Sequence, residues 1–472
     1  MDCYHWQMAM LITWFLSHLL LLCGFMLAVP VIAQMIRQRR SPAGTLAWLL
    51  TMVLLPYVGI PLYLALGGRK MRRLAVSKEE LKLSEQAQPL PEHIQEMNTL
   101  LRSYAIPGAS TGNHLTLCHS GEEGYNTLVE LIEESHQSLW VSTFILHPDS
   151  VGRDIIDRLV QRANAGVKVY VLLDGVGSLH TGKVALAPLR EAGAKVAFFM
   201  PVLHRPFRGR TNLRNHRKAV IADGCRVWAG GTNIATEYIG PTPSSERWKD
   251  LSFILEGPAV QHYQTIFHSD WLFATGESLS LEHKEVSVAD NLLGNGLFQV
   301  VPSGPDVGGD PLYAAILAAI FQAKKRLWIV TPYFIPDEPL SQALQLAAHR
   351  GVDVQIVIPQ KSNHWLADIA RGTYLRDLQE VGGKILHYQP GMLHAKALLA
   401  DDELALIGSA NLDMRSLFLN YETGLLVYSP AEVQEIKDWI IGLNNMCKSG
   451  VPDVGVWRDL SEGVARMLAP LL

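Results

Sequence analysis

The feature that most constrains this chain is a polar motif that occurs twice with the same internal spacing. Each copy reads His-x-Lys-x4-Asp-x6-Gly-[Gly/Ser]-x-Asn, and the two copies start 178 residues apart. One short string could arise by chance in a chain with 17 histidines, but two copies with every offset preserved indicate a duplication. The first copy comprises His216, Lys218, Asp223, Gly230, Gly231 and Asn233, and the second comprises His394, Lys396, Asp401, Gly408, Ser409 and Asn411.

The sequence upstream of each motif also repeats. An apolar, strand-like run at 139–144 precedes the first motif, and a similar run at 327–332 precedes the second. Both are followed by Pro-Asp and then by a Gly-Val-x-Val segment. A period of roughly 180 residues is that of a whole domain, and alternating strands and helices are typical of α/β layers. We therefore predict two duplicated α/β sandwich domains, residues 112–290 and 291–472, that share one active site at their interface.

Composition excludes several classes of function. The 472-residue chain has a net charge of -4 and a sequence pI near 6.5, so it lacks the basic excess of a general nucleic-acid-binding protein. Its five cysteines are scattered without a C-x-x-C pair, which predicts neither a disulfide framework nor a zinc site. No metal or other cofactor is predicted.

Two uncharged apolar runs near the N-terminus predict a membrane hairpin. Residues 8–32 contain no Lys, Arg, Asp or Glu and exceed the about 20 residues that a helix needs to cross a bilayer core. This run is too long for the core of a signal peptide and lacks a basic segment ahead of it, which indicates a retained anchor. Residues 45–67 form the second run, where breakers such as Pro56 are tolerated in a membrane helix. We assign residues 1–74 to membrane segments and residues 75–111 to a polar connector.

Basic residues leave the membrane orientation open. Clusters at 37–40 and 69–73 would lie on opposite sides of the bilayer if both runs span it. They would lie on the same side if the proline-containing second run is re-entrant. We favour two full spans, with the larger downstream cluster placing the catalytic domains in the cytoplasm.

Strand geometry separates the motif residues into two groups. Side chains alternate between the faces of an extended strand, so the histidine and lysine of each copy project on the same side. Asp223 and Asp401 lie an odd number of residues further along and would turn to the opposite face. This parity predicts that the aspartates, although part of the catalytic motif, brace the end of the strand.

Paired histidines, lysines and asparagines suit the chemistry of a phosphodiester. Imidazole titrates near neutral pH, so one histidine can attack phosphorus while the other gives a proton to the leaving alkoxide. Lysine and asparagine side chains bind phosphate oxygens, and two lysines can neutralise the charge that divalent cations neutralise elsewhere. The predicted phosphate ligands are Lys218, Asn233, Lys396 and Asn411.

Each imidazole also needs a partner that fixes its tautomer. Asp250 lies 34 residues after the first motif histidine, and Glu422 lies 28 residues after the second. Each carboxylate enters an apolar strand, where an unpaired charge would be costly. Pairing with an imidazole N–H would stabilise the carboxylate and orient the ring, and an ordinary surface salt bridge is the alternative.

With these residues, the chain resembles the phospholipase D superfamily, whose signature is the paired motif, and more narrowly the bacterial cardiolipin synthases. The resemblance covers essentially the whole chain, including the segment 41–50 and the run 408–420. It implies that His216 is the nucleophile that forms a phosphohistidine and that His394 is the general acid and later the base. The first motif departs from the pattern because Gly231 replaces the usual serine, and the loss of one hydroxyl is expected to leave the chemistry intact.

The resemblance implies two phospholipase D-like domains that catalyse phosphatidyl transfer. Two phosphatidylglycerol molecules would yield cardiolipin and glycerol without a metal or nucleotide. The expected partners are phosphatidylglycerol and other anionic phospholipids, with no nucleic acid, and the expected location is a bacterial inner membrane that the chain crosses more than once. Hydrolysis of phospholipid by the same site is the alternative, and a membrane-tethered nuclease is a further one. The residues leave the acceptor lipid and the oligomeric state open.

Two further segments carry patterns of their own. The stretch 203–218 is basic and contains no acidic residue, which is typical either of a solvated loop or of a strip that docks anionic lipid. Near the C-terminus, apolar residues recur at helical spacing, and we favour packing in the domain core over membrane contact. These apolar residues are Trp457, Leu460, Val464, Met467, Leu468 and Leu471.

Overall fold

The computed structural model of the protein describes most of the chain and divides it into two compact units. The first unit contains residues 1–71, and the second contains both copies of the motif. The predicted boundary at 290 between the two motif-bearing domains lies outside the described residues and stays a prediction. The described residues are 42–66, 78–84, 90–201, 213–279, 294–452 and 454–467, together with separate residues between 14 and 35.

The continuously described part of the first unit consists of two helices, α1 (Pro42–Leu54) and α2 (Pro56–Leu66). Proline fits the first position of a helix because its missing N–H would have no partner there, so Pro56 starts α2 where α1 ends. Within the described residues, no helix combines the length and the apolar character that a membrane crossing requires. The hairpin at 8–32 and 45–67 stays a prediction, and much of its first segment lies outside the described residues.

The connector is packed against the second unit. It contains helix α3 (Gln95–Ser103), which follows a single 3-10 turn at Glu92–Ile94. Met97 and Leu101 on one face of α3 are buried in the main hydrophobic core. The segment predicted to be a polar linker therefore contributes apolar side chains to the catalytic part.

The first half of the second unit is a mixed sheet with helices on both faces. Its elements are β1 (Ser110–Cys118), α4 (Gly121–Glu133), β2 (Ser138–Thr143), α5 (Ser150–Asn164), β3 (Lys168–Asp174), α6 (Ala187–Glu191), β4 (Lys195–Phe199), β5 (Ala219–Ala222), β6 (Arg226–Gly230), β7 (Ser252–Glu256) and α7 (Val260–Thr275). Across the sheet the strands follow the order β1-β7-β6-β5-β2-β3-β4. The neighbours β2, β3 and β4 are parallel, and β5 runs antiparallel to β2.

The second half repeats this topology. Its elements are β8 (Gly296–Ser303), α8 (Pro311–Gln322), β9 (Arg326–Val330), β10 (Phe334–Ile335), α9 (Glu338–His349), β11 (Asp353–Pro359), α10 (Trp365–Glu380), β12 (Lys384–Tyr388), β13 (Ala397–Ala400), β14 (Leu404–Gly408), β15 (Leu412–Asp413), α11 (Met414–Phe418), β16 (Glu422–Val427), α12 (Pro430–Asn444), β17 (Cys447–Ser449) and α13 (Val456–Met467). The order β8-β16-β14-β13-β9-β11-β12 matches the first half strand for strand, with β17 added at the edge. The predicted duplication is confirmed.

The two halves share one sheet and one core. β1 and β8 pair antiparallel, with Ser110 opposite Phe298 and Asn113 opposite Gly296, so the described strands form a continuous 15-stranded sheet. The main hydrophobic core also extends across both halves. The α/β class predicted from the alternating pattern is therefore confirmed, and the halves are joined through backbone pairing as well as side-chain packing.

This topology places each motif at the carboxyl end of a parallel strand in its own half. β2 ends beside the start of the antiparallel strand β5, and β9 ends beside the start of β13. Isolated bridges between Asn215 and Tyr421 and between Lys249 and Leu393 join the two motif regions. The histidine and lysine of each motif directly precede β5 or β13. In open α/β sheets, ligands bind outside the carboxyl ends of the parallel strands, so each motif lies where a site is expected.

The C-terminal helix corrects one expectation. Trp457, Leu460 and Val464 of α13 point to solvent and do not contribute to the domain core. The side chain of Met467 and residues 468–472 lie outside the described part of the chain. Spacing alone predicted the apolar face correctly, but packing turns that face outward.

The basic stretch is corrected as well. Arg214 and Arg217 are buried inside the catalytic unit, where Arg214 pairs with Asp174. Neither a solvated loop nor a lipid-docking strip describes these two side chains. The more N-terminal arginines of the stretch, between 202 and 212, lie outside the described residues.

Candidate active site

Each motif histidine is held by backbone hydrogen bonds against the opposite half. The N–H of His216 donates to the carbonyl of Tyr421 at 2.9 Å, and the N–H of His394 donates to the carbonyl of Lys249 at 2.7 Å. Tyr421 and Lys249 directly precede the two candidate carboxylates. Each half therefore delivers a carboxylate to the histidine of the other half.

The first crossed pair joins His216 to Glu422, whose carboxylate lies 3.0 Å from Nδ1. The same carboxylate accepts hydrogen bonds from Ser409 Oγ at 2.5 Å and from the Asn420 amide at 3.3 Å. Burial alone would raise the pKa of Glu422, but His216, Lys218 and Ser409 lower it below its ordinary value. Burial also lowers the pKa of His216, so a neutral imidazole faces an ionised carboxylate. With Nδ1 as the donor, Nε2 keeps its lone pair for attack or proton transfer.

The second crossed pair joins His394 to Asp250, with Nδ1 and Oδ2 2.6 Å apart. Burial, assisted by the positive charge of Lys396, lowers the pKa of His394 to about 3. Burial would raise the pKa of Asp250, but Lys396 and His394 hold it below its ordinary value. The rings of Tyr238 and Trp248 pack beside His394, with centroids 5.1 and 5.6 Å away. This imidazole is therefore neutral and oriented in the same way as its counterpart.

The motif lysines lie beside the histidines, as strand alternation predicts. Lys218 Nζ donates to the carbonyl of His216 at 2.8 Å, and Lys396 Nζ donates to the carbonyl of His394. Lys396 Nζ also approaches Nδ1 of His394 to 2.7 Å. Because one ring nitrogen cannot donate to a carboxylate and accept from an ammonium at once, the bond to Asp250 defines Nδ1 as a donor.

Both lysines are sensitive to an arriving anion. Burial lowers the pKa of Lys396 to about 8 and that of Lys218 well below its ordinary value. A phosphate beside them would favour their charged forms. Among the described residues, no group of three or more His, Cys, Asp or Glu side chains is placed to hold a metal ion. The two lysines are the cations that lie beside the histidines.

The two motif asparagines are buried but differ in their partners. Asn233 Oδ1 accepts a hydrogen bond of 3.2 Å from the N–H of Ile145, which orients its amide. The side-chain oxygen of Asn411 has no hydrogen-bond partner in the described part of the chain. A buried polar atom without a partner is costly unless a ligand or water supplies one. The role of both asparagines as phosphate ligands stays a prediction.

The motif aspartates do not belong to this cluster. Asp223 accepts three hydrogen bonds from the backbone N–H groups of residues 136–138, and Asp401 accepts three from residues 324–326. Each aspartate thus ties the turn after its motif strand to the start of the neighbouring parallel strand. They perform the bracing that strand parity predicts, and a part for them in catalysis stays a prediction.

The glycine that replaces serine in the first motif has a spatial reason. A Cβ at Gly231 would lie 2.6 Å from Oδ1 of Asp250 and 3.1 Å from Cδ of Lys396. Ser409 occupies the equivalent position in the second motif, and its hydroxyl binds Glu422. The departure from the family pattern therefore follows from closer packing around Asp250.

A buried charge cluster behind His216 has no counterpart in the motif pattern. Arg217 donates to Asp270 of α7 at 2.9 Å and to Asp306, beyond β8, at 3.2 Å. Lys78 of the connector donates to the same two carboxylates, and all four side chains are buried. We term these four residues the interdomain brace. Strand alternation turns Arg217 away from the histidine, but nothing near the motif indicates partners 53 and 89 residues away.

Comparisons with known proteins agree with this geometry. The family described as cardiolipin synthase, PLD-like domain, matches residues 128–271 and 316–443, and the family described as phospholipase D-nuclease N-terminal matches residues 26–68. Cardiolipin synthase 1 of Bacillus anthracis is 35% identical over an aligned length of 468 residues, with 92% of this chain and 90% of that one covered. The major cardiolipin synthase ClsA of Bacillus subtilis strain 168 is 31% identical, with 97% of this chain and 99% of that one covered.

A solved structure supports the fold independently. Phosphatidylserine synthase of Haemophilus influenzae Rd KW20 has a TM-score of 0.59 at 16% identity, covering 80% of this chain and 98% of that one. The duplicated fold is that of a phospholipase D-like enzyme. The chain belongs to the cardiolipin synthase family of PLD-like proteins, which confirms the resemblance seen in its motifs.

Proposed function

We propose that the protein transfers a phosphatidyl group from one phosphatidylglycerol to another, yielding cardiolipin and glycerol. The observation that supports this most is the pair of buried imidazoles, each held through Nδ1 by a carboxylate of the opposite half. Transfer in two steps needs a nucleophile and a separate acid and base, and the site offers one imidazole for each task. Relatives that align with most of the chain are named cardiolipin synthases.

In the first step, Nε2 of His216 attacks the phosphorus of a bound phosphatidylglycerol, and the bond from phosphorus to the headgroup glycerol oxygen breaks. His394 gives its proton to that oxygen, so glycerol leaves as a neutral alcohol. Burial holds the pKa of His394 at about 3, and a phosphodiester anion beside the ring raises it because an opposite charge favours the imidazolium. The choice of His216 as the attacking residue follows the family resemblance.

In the second step, neutral His394 takes the proton from a headgroup hydroxyl of a second phosphatidylglycerol, and that oxygen attacks the phosphohistidine. The phosphorus–nitrogen bond breaks, its electron pair returns to His216, and cardiolipin is released. Positive charge and neutral donors stabilise the phosphate oxygens in both steps. The proposed ligands are Lys218, Lys396, Asn233 and Asn411.

The proposed location is a bacterial inner membrane, with several membrane passes and cytoplasmic catalytic domains. The uncharged runs at 8–32 and 45–67 and the N-terminal family match at 26–68 support it. An enzyme that draws both substrates from the bilayer restricts access of water to the phosphohistidine. Restricted water favours transfer to a lipid hydroxyl over hydrolysis.

A product assay tests the proposed reaction. The purified full-length protein in detergent is incubated with phosphatidylglycerol alone or mixed with phosphatidylethanolamine, and lipids are identified by mass spectrometry. We expect cardiolipin and glycerol, and neither with His216→Ala. Phosphatidic acid without cardiolipin would identify a phospholipase, and the mixed incubation identifies which lipids serve as acceptors. Cleavage of nucleic acid without any lipid product would favour the nuclease.

A trapping experiment tests which histidine attacks. His394→Ala is expected to lower turnover by about 10²- to 10⁴-fold, because the general acid and base is lost. With acyl-labelled phosphatidylglycerol, label should accumulate on His216 and be visible by intact-protein mass spectrometry at neutral pH. Surface variant His349→Ala serves as the control with normal turnover. Label on His394 in the His216→Ala variant would reverse the assignment.

A further inference from the structure

Helix α13 buries only Glu462 and Ala465 on its inner face and turns its large apolar residues toward solvent. Glu462 on its inner face is only 1% exposed and pairs with Arg376 of α10 at 2.7 Å. A surface helix normally turns its apolar side to the core. We term the outward residues the apolar stripe. They are Val456 (83% exposed), Trp457 (85%), Leu460 (58%) and Val464 (54%).

Charged contacts hold the helix in this orientation. Arg376 of α10 also pairs with Asp459 at 2.9 Å, and within α13 Arg458 pairs with Glu462 at 3.1 Å. The guanidinium of Arg466 lies 5.0 Å from the centre of the Tyr374 ring. Residues four apart lie on one face of a helix, so the side opposite these contacts is apolar along the whole of α13. The outward stripe is therefore a consequence of how the inner face is bound.

The direction of α13 relates the stripe to the catalytic edge, by which we mean the end of the second-half strands that carries His394. Val451, just before the helix, hydrogen-bonds to Gln379 near the end of α10, and Glu462 packs against Gly372 further back. α13 thus runs antiparallel to α10 and advances toward the end where α10 begins. That end follows β11 at the catalytic edge, and it carries Trp365, which is 72% exposed.

We propose that the apolar stripe and Trp365 rest on the lipid bilayer and hold the catalytic edge at the headgroup layer. Tryptophan is enriched at membrane interfaces, and an amphipathic helix lies in the interface plane with its apolar face buried among lipids. Docking is a property of the surface and does not depend on which phosphatidyl acceptor the site uses.

A second copy of the chain fits the stripe less well than a bilayer. A helix of 12 residues is about 18 Å long and about 10 Å wide, so one face offers on the order of 200 Å². A stable protein interface buries about 800 Å² on each partner. A bilayer accepts a narrow stripe because insertion of individual side chains needs no matching surface.

Site-specific fluorescence tests the contact in the full-length protein. A cysteine-free background that retains transfer activity receives a single cysteine at Leu460→Cys or Val464→Cys, labelled with an environment-sensitive probe. The labelled protein is reconstituted into phosphatidylglycerol and phosphatidylethanolamine vesicles with or without nitroxide-labelled acyl chains. We expect nitroxide lipids to reduce emission at both positions by roughly half or more. Leu346→Cys is the matched control. Leu346 is an exposed leucine near the C-terminal end of α9, at the opposite end of the second-half strands from Trp365, and a probe there should keep its emission.

The quenching pattern distinguishes a stripe buried in lipid from one that faces water or another protein surface. Quenching at 460 and 464 but not at 346 supports the proposal. Equal emission with and without nitroxide lipids overturns it, whether the probes are open to iodide in water or shielded from it by protein. This readout does not require turnover, so it remains decisive even if the lipid product differs from cardiolipin.

A functional comparison provides a second test. Leu460→Ser combined with Val464→Ser should slow transfer several-fold in vesicles and leave the rate in detergent micelles unchanged, since micelles deliver lipid without a bilayer surface. Leu346→Ser should leave both rates unchanged. Equal rates of the double variant and the unchanged protein in vesicles would overturn the proposal.

Discussion

The two half-sites share one motif and one strand topology, but they differ in what lies behind the histidine. Behind His216, Asn215 and Arg217 enter a network of buried carboxylates. The equivalent residues in the second half are Leu393 and Ala395, which are fully buried in the apolar core. One histidine is therefore supported by charge and the other by hydrophobic packing.

This difference indicates which part of a duplicated motif is constrained. The histidine and lysine on one face of each motif strand are the same in both halves, whereas their neighbours on the opposite face have diverged. The charged support also reaches Lys78 in the connector, so the segment that follows the two N-terminal apolar runs is tied directly to the His216 half. A buried charge network depends on every member, while apolar packing tolerates partial loss.

The crossed pairing predicts that each carboxylate serves the histidine of the opposite half. Glu422→Gln is expected to lower turnover by about 10²- to 10⁴-fold because the tautomer of His216 is no longer fixed. The expected signature is slower formation of the phosphohistidine, together with a changed ¹⁵N resonance of the His216 ring in histidine-labelled protein. The surface variant Glu380→Gln is the control. A change confined to the His394 ring would contradict crossed pairing.

The charged support predicts a large stability effect from a residue outside both motifs. Lys78→Met leaves two buried carboxylates with one cation, so we expect the free energy of unfolding to fall by about 3–5 kcal/mol. Thermal and denaturant unfolding in detergent measure it. Lys82→Met, an exposed lysine in the same connector, should have no effect. A stable Lys78→Met protein would mean that the His216 half does not depend on the brace.

The serine position should respond differently in the two halves. Gly231→Ala places a Cβ against Asp250 and is expected to reduce kcat/KM strongly, because that carboxylate orients His394. Ser409→Ala removes one hydrogen bond to the Glu422 carboxylate and should reduce kcat/KM by about tenfold. Steady-state kinetics with both variants tests this order. Full activity of Gly231→Ala would refute the spatial explanation.

The pH dependence of kcat/KM should distinguish the two lysines. Lys396 has a pKa of about 8, so it is charged below that pH and loses its proton above it. The rate is expected to fall above pH 8 by up to about tenfold per pH unit, as the amine no longer neutralises phosphate. Lys396→Arg stays charged and should move this alkaline limb to higher pH. If Lys218→Arg moves the limb and Lys396→Arg does not, the lysine of the first motif controls the fall in rate.

Local periodicity was sufficient to predict much of the fold and site. The repeat predicted the duplication, and strand alternation placed His216 beside Lys218 and turned Asp223 away to brace the strand end. These features depend on spacing within a few residues, so the sequence contains them directly.

Long-range features could not be predicted in this way. Asp250 follows His216 in the chain but binds His394, because backbone pairing of Lys249 with the second half carries it across. The outward face of α13 was also predicted wrongly, since helical spacing identifies an apolar face without showing which face binds its neighbour. Both outcomes depend on contacts between distant segments.

By itself, the sequence determined the duplicated α/β fold, the shared face of histidine and lysine, and the bracing role of the aspartates, because strand geometry converts spacing into direction. Only the tertiary structure decided which carboxylate orients which histidine, where Lys78 is buried, and that α13 turns its apolar stripe outward. The physical reason is that these features arise from packing and charge pairing between segments far apart in the chain, and local sequence patterns do not specify such contacts.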